Sequence, residues 1–328
     1  MSEGKVSTKL YYGTYHGHEP ELLGHVATSL RAHGGGAPRR IIWLAGDSSL
    51  DNKYWLQPTT VPAANGMEVL LSPPRSLPDI AHQINVLLAA EAPLFACVNA
   101  SVEEGTLQGR GAALAAGAPY PPCTEQDALL RNSVEAGDVV VASAGGNDVV
   151  LKPSPATVVA MAAVLALGTD AGIDAGASWG MGTLVALFKG QMEAYLGALT
   201  ARTKPALALA CFPYFPCVTG RGWADTTLAM MGYTNSPGRL QRVMRAAFRL
   251  ATQQLRVPGV HVVPIALFDA LDPSAEGDYV ARVEPSAAGG AKIARLIVDA
   301  VVRELQPAGA RKRAESGGGG GGSGAGRR

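Results

Sequence analysis

The sequence is poor in the features that mark several classes of protein. Its 328 residues contain only four cysteines, and aromatic residues make up 6%. Lys and Arg total 28 against 27 for Asp and Glu, so no charge excess would attract nucleic acid or an anionic membrane. The long uninterrupted apolar run of a membrane span is also missing. From these absences we expect a small neutral ligand, and we expect neither a nucleic-acid-binding nor a membrane-spanning protein.

The four cysteines show no metal-ligand spacing. Cys97 and Cys211 lie in apolar runs, whereas Cys123 and Cys217 lie in Pro-rich segments. Reduced thiols are therefore expected, and a bridge between Cys211 and Cys217 has no positive support. The polar start, residues 1–9, lacks the apolar core of a secretory signal, so we expect a cytoplasmic protein. Neither a cofactor nor a metal is expected.

Apolar runs alternate with helical patterns along most of the chain, and 47% of the residues are hydrophobic. This alternation predicts a single α/β domain with a three-layer, doubly wound parallel sheet of the flavodoxin-like type. Strands are predicted over 41–45, 67–71, 94–99, 138–144, 205–212 and 261–268. Helices are predicted over 21–33, from about 77 to 88, and over 127–134, 155–167, 183–200, 240–255 and 287–305.

Composition divides the chain into three parts. Residues 1–38 are expected to be an N-terminal segment with a helix that packs on the domain, and residues 39–306 the α/β domain itself. From Gln306 the sequence changes to Gly, Arg and Ser, which cannot bury enough apolar surface to fold. Residues 307–328 are therefore expected to be a disordered tail.

Two apolar runs end in small and polar residues, which is typical of strands that deliver side chains to the carboxyl edge of a parallel sheet. One ends in Gly46-Asp47-Ser48-Ser49-Leu50-Asp51 and the other in Gly145-Gly146-Asn147-Asp148. Ser48 is a candidate nucleophile, and Asn147 has an amide that can donate to a developing oxyanion. Gly146 and Asp47 are candidate substrate-binding residues. Together these residue types indicate acyl chemistry.

Each block also has a simpler interpretation. Asp47, Ser48 and Ser49 could cap a helix, which is the commonest role of such residues after a strand. Asn147 could belong to an ordinary turn. Alternatively, Asp47-x-Ser49-x-Asp51 is similar to the cation-binding loop of integrin-type domains, in which oxygen ligands hold a metal.

The two blocks resemble those of the SGNH hydrolases, the GDSL-like esterases and lipases. That resemblance implies that Ser48 is the nucleophile and that Asn147 belongs to the oxyanion hole. A third segment, Val98-Asn99-Ala100-Ser101-Val102-Glu103-Glu104-Gly105-Thr106, is similar to the family's second block. The family usually has a backbone-donating Gly there, so Ser101 would donate its N–H instead. The resemblance covers residues 40–302.

The family's last block is altered in this chain. SGNH enzymes have Asp-x-x-His before a Pro-Ser and a Gly, and here the stretch is Ala281-Arg282-Val283-Glu284-Pro285-Ser286-Ala287-Ala288-Gly289. Glu284 therefore stands at the His position and Ala281 at the Asp position. Glu284 could be the base if burial raised its pKa, although pairing with Arg282 would lower that pKa. Arg282 and Glu284 could instead form a structural ion pair or bind substrate.

A histidine from elsewhere is the second possible base. His16 and His18 lie in a predicted loop that could fold over the site, whereas His25 and His82 fall on predicted helices. His33 is a further candidate, and His261 starts a predicted strand at the wrong end for this site. The nearby acidic loop offers Asp278 as a different carboxylate.

The sequence therefore favours an SGNH-like serine esterase that removes an acyl group, such as a short-chain or O-acetyl group, from a small molecule or glycan. A catalytically inactive ligand-binding protein and an acyltransferase are the alternatives. Removal of a general base usually lowers the rate by roughly two to four orders of magnitude. The missing His is therefore the feature that distinguishes the enzyme from the ligand-binding protein. Aromatic side chains that could line the pocket are Trp43, Tyr54, Trp55 and those of 212–215. Protein partners cannot be predicted.

Overall fold

Five parallel strands form the central sheet in the computed structural model, which describes residues 4–33, 37–110 and 124–305. They are β1 (Arg40–Gly46), β2 (Phe95–Asn99), β3 (Val139–Ser143), β4 (Leu207–Phe212) and β5 (Val262–Ala266). The first four are almost wholly buried, as expected of parallel strands covered on both faces by helices. The predicted tail 307–328, the glycines 34–36 and residues 111–123 lie outside the described residues.

The strand order is β2-β1-β3-β4-β5, and every neighbouring pair is parallel. Ile42 of β1, for example, pairs with Cys97 of β2 and with Val139 of β3. The winding direction reverses between β1 and β3, and ligands of open α/β sheets bind at such a switch point. The predicted doubly wound sheet is confirmed. Ser48 and Asn147 follow the two strands that flank the switch point.

Helices connect the strands and form the two outer layers. Their bounds are α1 (Thr8–Tyr11), α2 (Pro20–Ala32), α3 (Met67–Leu70), α4 (Ile80–Glu91), α5 (Glu125–Ser133), α6 (Asn147–Val150), α7 (Pro155–Leu167), α8 (Asp170–Asp174), α9 (Met181–Val185), α10 (Met192–Leu199), α11 (Asp225–Met230), α12 (Pro237–Leu250) and α13 (Ala287–Leu305). On one face α2, α10 and α12 pack against the sheet, and on the other face α4 and α13 pack against the sheet and against each other.

A buried carboxylate ties the first layer to the sheet at the end opposite the switch point. Asp138 accepts hydrogen bonds from the Ile41 backbone N–H (2.8 Å), the Trp43 indole (3.2 Å) and the Arg31 guanidinium (2.7 Å). Because its partners satisfy both oxygens, burial of the carboxylate is tolerated. Trp43 thus packs in the core and does not line the site.

The prediction of a strand over 67–71 is wrong. Gly66 has a left-handed φ of 97°, and one helical turn, α3, follows it. Met67 and Leu70 are both buried while Val69 is exposed, a spacing that fits a helix rather than an alternating strand. Only Leu71–Ser72 is extended, and it pairs with Val6–Ser7.

A separate helical cluster lies beside the switch point. Residues of α7, α9, α11 and α12 form their own apolar core there. The predicted helix 183–200 falls into α9, a π-helical turn over Ala186–Gln191, and α10. The glycine-rich stretch 168–182 belongs to this cluster through Ile173 and Met181.

Two predicted absences can be compared with the described part of the chain. Within 4–33, 37–110 and 124–305, no helix combines the length and the hydropathy needed to cross a membrane. Cys97, Cys211 and Cys217 are buried free thiols, so a bridge between Cys211 and Cys217 is not formed. Cys123 lies outside the described residues.

Candidate active site

Ser48 lies in the turn that follows β1. Gly46 has a φ of 121°, and a Cβ there would lie 1.7 Å from the Ser143 carbonyl oxygen, so only glycine fits. Asp47 Oδ1 accepts hydrogen bonds from the backbone N–H (3.0 Å) and hydroxyl (2.6 Å) of Ser49. Residues 48–50 form a turn and no helix follows directly, so the helix-capping interpretation is wrong, and Asp47 instead stabilises this turn. The Ser48 hydroxyl is left to line the cavity at the switch point.

Asn147 occupies the equivalent place after β3, at the first residue of α6. Gly145 precedes it with a φ of 112°, and a Cβ there would lie 2.6 Å from the Phe188 ring. Asn147 Nδ2 donates to the Gly105 carbonyl at 3.1 Å, which fixes the amide. A side-chain amide has two N–H donors, and this is its only hydrogen bond to the described residues. The second N–H can therefore donate to a ligand.

A second donor lies beside the nucleophile. The Ser48 backbone N–H makes no hydrogen bond with any described residue. It belongs to a tight turn in which the N–H groups of Leu50 and Asp51 both bond back to the Asp47 carbonyl. Two donors from neighbouring strand ends, the Ser48 N–H and the Asn147 amide, can thus bind one oxyanion.

Glu284 reaches the same place from the other end of the chain. It lies in the two-residue strand Glu284–Pro285, which pairs antiparallel with Tyr279–Val280. Between them, Ala281 and Arg282 have left-handed φ values of 48° and 74°. Such conformations are strained for residues other than glycine and persist where surrounding contacts hold them. This tight turn places Glu284, 2% exposed, against the nucleophile turn.

Only one oxygen of the Glu284 carboxyl accepts a regular hydrogen bond from the described residues. Trp223 Nε1 donates to Oε1 at 3.1 Å, whereas Oε2 accepts no hydrogen bond of regular geometry from the described residues. Burial raises the pKa of Glu284 to about 7, although the Trp223 and Ser48 side chains lower it by hydrogen bonding. The carboxyl therefore lies next to the Ser48 hydroxyl. Because its pKa is raised, its ionised form is a stronger base than an ordinary carboxylate.

Arg282 does not pair with Glu284, which corrects two predictions. Its guanidinium donates to the Cys217 carbonyl (3.1 Å), to Asp225 (2.9 Å) and to Thr234 (3.4 Å). Arg282 is 4% exposed and lines neither cavity at the site, so it is not placed to bind substrate. It anchors the turn that carries Glu284. The expected lowering of the Glu284 pKa by Arg282 does not occur, because the cation is engaged elsewhere.

Glu103 is a second buried carboxyl of the site, and the sequence analysis missed it. Trp55 Nε1 donates to its Oε1 at 2.8 Å, and its Oε2 has no hydrogen-bond partner among the described residues. Burial and repulsion from Glu284 raise the pKa of Glu103 to about 9. Two adjacent glutamates in a polar loop resemble solvated surface charge. The signal that could have revealed Glu103 is its position just after β2, at the carboxyl edge of the sheet.

Two cavities meet at the nucleophile and share the side chains of Ser48, Asn147, Trp223 and Glu284. The first, which we call the acidic cavity, has a volume of about 250 Å³ and is also lined by Tyr15, Trp55, Glu103, Glu104 and Leu151. Both glutamates with an unpartnered oxygen open onto it. Polar ligands with hydroxyl groups can donate to these oxygens.

The second, which we call the apolar cavity, has a volume of about 110 Å³. It runs from the nucleophile, past Gly146 and Asp47, into the helical cluster. Its walls are aliphatic and aromatic, with the main contributions from Met161, Leu184, Phe188, Phe212, Leu228, Met231, Leu240, Val243, Met244 and Ala247. Thus Gly146 and Asp47 lie where substrate binding was predicted, and Asp47 also fixes the turn.

The solved structures to which this chain is similar include esterases and related hydrolases. They include a lipase/acylhydrolase from Enterococcus faecalis (14% identity, TM-score 0.40, 82% of this chain and 98% of that one). An acetylxylan esterase from Geobacillus stearothermophilus is also similar (16%, 0.37, 82% and 94%). So is an alpha/beta hydrolase enzyme from the metagenome of Lake Arreo, Spain (17%, 0.39, 82% and 97%). No protein-family model and no curated protein matches the sequence.

At such low identities and TM-scores we infer no residue role or substrate from these structures. The sheet order of this chain, with its nucleophile and Asn turns after β1 and β3, agrees with the resemblance seen in the sequence. The site of this chain can therefore be compared with the SGNH pattern position by position.

One SGNH position is corrected by the structure. The Ser101 backbone N–H donates to Asn99 Oδ1 at 3.0 Å, and Ser101 is completely buried. Neither cavity touches it. Ser101 is therefore not placed to donate to an oxyanion as predicted, and the candidate donors among the described residues are the Ser48 N–H and the Asn147 amide.

The SGNH base position has no histidine substitute nearby. None of the six histidines, all within the described residues, lines either cavity. His16 Nδ1 lies 3.2 Å from the Glu103 carbonyl oxygen. His18 is stacked on Tyr11, and burial lowers its pKa to about 3. Asp278 pairs with Lys292 at 2.7 Å, away from the site.

In this turn, the carboxylates that a cation-binding loop would use already have partners. Asp47 is hydrogen-bonded to Ser49, and both Asp51 oxygens lie 2.8 Å from the buried ammonium of Lys53. In the described part of the chain, no group of three or more His, Cys, Asp or Glu side chains is arranged to hold a metal ion.

Proposed function

We propose that the protein is a serine ester hydrolase in which Ser48 is the nucleophile and Glu284 is the general base. One observation carries this proposal: Ser48, Asn147 and Glu284 come from three distant parts of the sequence and line the same two cavities at the switch point. Nucleophile, base and oxyanion donor are the groups that acyl transfer requires at one place.

The chemistry follows from this arrangement. Glu284 accepts the Ser48 hydroxyl proton as Oγ attacks the ester carbonyl, and the resulting oxyanion accepts hydrogen bonds from the Ser48 N–H and the Asn147 amide. Glu284 then gives the proton to the departing alcohol, which leaves an acyl-Ser48. Water attacks this ester with Glu284 again as base, and the carboxylic acid and free Ser48 are released.

A ligand-binding protein without catalysis is the second candidate, and the acidic cavity favours it. Glu103 Oε2 is buried without a hydrogen-bond partner among the described residues, and Glu284 Oε2 accepts no hydrogen bond of regular geometry from them. Buried polar atoms normally have partners, so a ligand with hydroxyl groups would satisfy both oxygens. In the esterase the same oxygens bind the alcohol part of the substrate, and glycan esters fit this description.

The deciding experiment is labelling of the purified protein with a fluorophosphonate between pH 5 and 9. We expect labelling that rises with pH and is lost in Ser48→Ala and in Glu284→Gln. Ser101→Ala is the matched serine control, because its hydroxyl lies outside both cavities, and it should be labelled as the wild type is. Absence of labelling in folded wild-type protein would refute the esterase and leave the binder. Transfer of the acyl group to an added alcohol in preference to water would make the enzyme an acyltransferase.

A further inference from the structure

Two tryptophan–glutamate pairs line the acidic cavity beside the nucleophile. Trp55 Nε1 donates to Glu103 Oε1 at 2.8 Å, and Trp223 Nε1 donates to Glu284 Oε1 at 3.1 Å. Each indole therefore holds one oxygen of its carboxyl. Glu284 is the base of the proposed function, whereas Glu103 takes no part in its proton transfers, although its side chain lines the cavity that Ser48 lines as well.

Glu103 is the member of this carboxyl pair that keeps a proton. It is 3% exposed, and burial together with repulsion from Glu284 and Asp51 raises its pKa to about 9. Burial raises the pKa of Glu284 less, to about 7. Because interacting carboxyls bind protons as a pair, the first proton that this pair takes up as pH falls resides on Glu103. When Glu284 is ionised and able to act as the base, Glu103 is therefore a neutral carboxylic acid.

The hydrogen bonds determine which oxygen of Glu103 holds that proton. An indole N–H can only donate, so Oε1 is the acceptor of the Trp55 bond. The proton then resides on Oε2, which is buried and has no hydrogen-bond partner among the described residues. A buried O–H normally has an acceptor. An oxygen of a substrate in the acidic cavity would supply it.

We propose that Glu103 is the general acid that protonates the departing alcohol. This proposal rests on the proposed function and moves the protonation of the alcohol from Glu284 to Glu103. Glu284 takes the Ser48 hydroxyl proton as Oγ bonds to the carbonyl carbon. When the bond between that carbon and the alcohol oxygen breaks, Glu103 Oε2 gives its proton to the alcohol oxygen.

The coupling between the two carboxyls makes Glu103 acidic at the step that needs an acid. While Glu284 is ionised, its negative charge helps Glu103 to keep its proton. Once Glu284 has taken the Ser48 proton, this repulsion is gone and Glu103 becomes a stronger acid.

The resting protonation state is restored before water reacts. Glu103, whose pKa is the higher of the two, recovers a proton from Glu284 through water that enters the acidic cavity when the alcohol leaves. Glu284 is then ionised again. It takes a proton from the water that attacks acyl-Ser48 and returns this proton to the Ser48 oxygen when the carboxylic acid is released.

Esters with different leaving groups test this role. p-Nitrophenoxide leaves without a proton at neutral pH, whereas an alkoxide needs one, so the contribution of a general acid grows with the basicity of the leaving group. The test compares kcat/KM for p-nitrophenyl acetate, trifluoroethyl acetate and ethyl acetate, which share one acyl group. Glu103→Gln should lower kcat/KM for ethyl acetate by about a hundredfold to ten-thousandfold. The loss should be smaller for trifluoroethyl acetate, and p-nitrophenyl acetate should be nearly unaffected.

A second variant and a control accompany this series. Glu103→Asp keeps a carboxyl and should lose less of the ethyl acetate activity than Glu103→Gln, and equal losses in these two variants would contradict the acid role. Glu276→Gln is the control, because Glu276 is exposed and lines neither cavity, and it should behave as wild type with all three acetates.

Fluorophosphonate labelling separates this proposal from the proposed function. Labelling of Ser48 expels fluoride and needs no general acid, so Glu103→Gln should be labelled as the wild type is. A loss in Glu103→Gln that is equal for all three acetates, or no loss with any of them, would refute Glu103 as the acid and leave the esterase intact. Wild-type protein that is not labelled and hydrolyses none of the acetates would refute both proposals.

Discussion

Replacement of Glu284 by Gln is the most informative single change to this protein. Glutamine keeps the size of the side chain and an oxygen that can accept from Trp223 Nε1, but it cannot take a proton from Ser48. We expect kcat for ester hydrolysis to fall by about a hundredfold to ten-thousandfold. KM should change little, because the glutamine side chain would occupy the same space at the mouth of both cavities.

The pH dependence of wild-type kcat/KM gives a second, quantitative test of Glu284 as the base. Burial raises the pKa of Glu284 to about 7, and the ionised form is the base. Hence kcat/KM should be constant above about pH 8 and fall about tenfold per pH unit below pH 7, reaching about 1% of its maximum at pH 5. The inflection near pH 7 should be absent in Glu284→Gln, whose residual activity depends only on the oxyanion donors and binding.

The assay is steady-state hydrolysis of a p-nitrophenyl ester between pH 5 and 8, where alkaline hydrolysis of the ester stays slow. Glu276→Gln is the matched control, since Glu276 is exposed and lines neither cavity, and it should behave as wild type. Glu284→Gln that retains more than about a tenth of the wild-type kcat would refute Glu284 as the base. An unchanged inflection near pH 7 in this variant would assign the titration to another group.

Three further changes test the rest of the site. Asn147→Ala removes an oxyanion donor and should lower kcat by about a hundredfold to a thousandfold with little change in KM; an effect on KM alone would assign Asn147 to ground-state binding. Glu103→Gln should stabilise the protein more at pH 8 than at pH 5, by at least about 1 kcal/mol in urea denaturation. The sign of this effect follows from the raised pKa of Glu103. The fold favours the protonated carboxyl, so the wild type loses stability as pH rises from the ordinary pKa of Glu towards about 9. An equal change in stability at both pH values would contradict this reasoning. Lys53→Met leaves the buried Asp51 carboxylate without its ammonium partner and should lower the free energy of unfolding by about 3–5 kcal/mol; a near-neutral result would show that Asp51 takes up a proton instead.

The sequence was sufficient to predict the sheet and the two turns at its switch point. Strands β1 and β3 are local apolar runs, and the glycines after them fit only the tight turns that the structure shows at Gly46 and Gly145. Position at the carboxyl edge then follows from parallel pairing. For Ser48 and Asn147, the local sequence pattern was therefore enough to predict both a turn and its position in the fold.

The base and the cavities could not be predicted from local pattern, because they depend on contacts between distant segments. Arg282 lies two residues from Glu284, which suggested an ion pair, but the left-handed turn sends its guanidinium to Asp225. Glu284 owes its raised pKa to burial, and its hydrogen-bonding neighbours Trp223 and Ser48 come from distant parts of the sequence. In the same way, the apolar cavity is assembled from residues 161 to 247, and no single helix shows it.

The simultaneous absence of the SGNH histidine and its aspartate has one physical explanation under the proposed function. An imidazole base needs a partner on its second nitrogen to fix the tautomer and hold the ring. A carboxylate has no tautomer to fix, so an Asp at position 281 would serve no purpose. What Glu284 requires is a raised pKa and one fixed oxygen, which burial and the Trp223 indole provide. Replacing His by Glu thus removes the need for the aspartate and makes the burial of the carboxyl the feature on which catalysis depends.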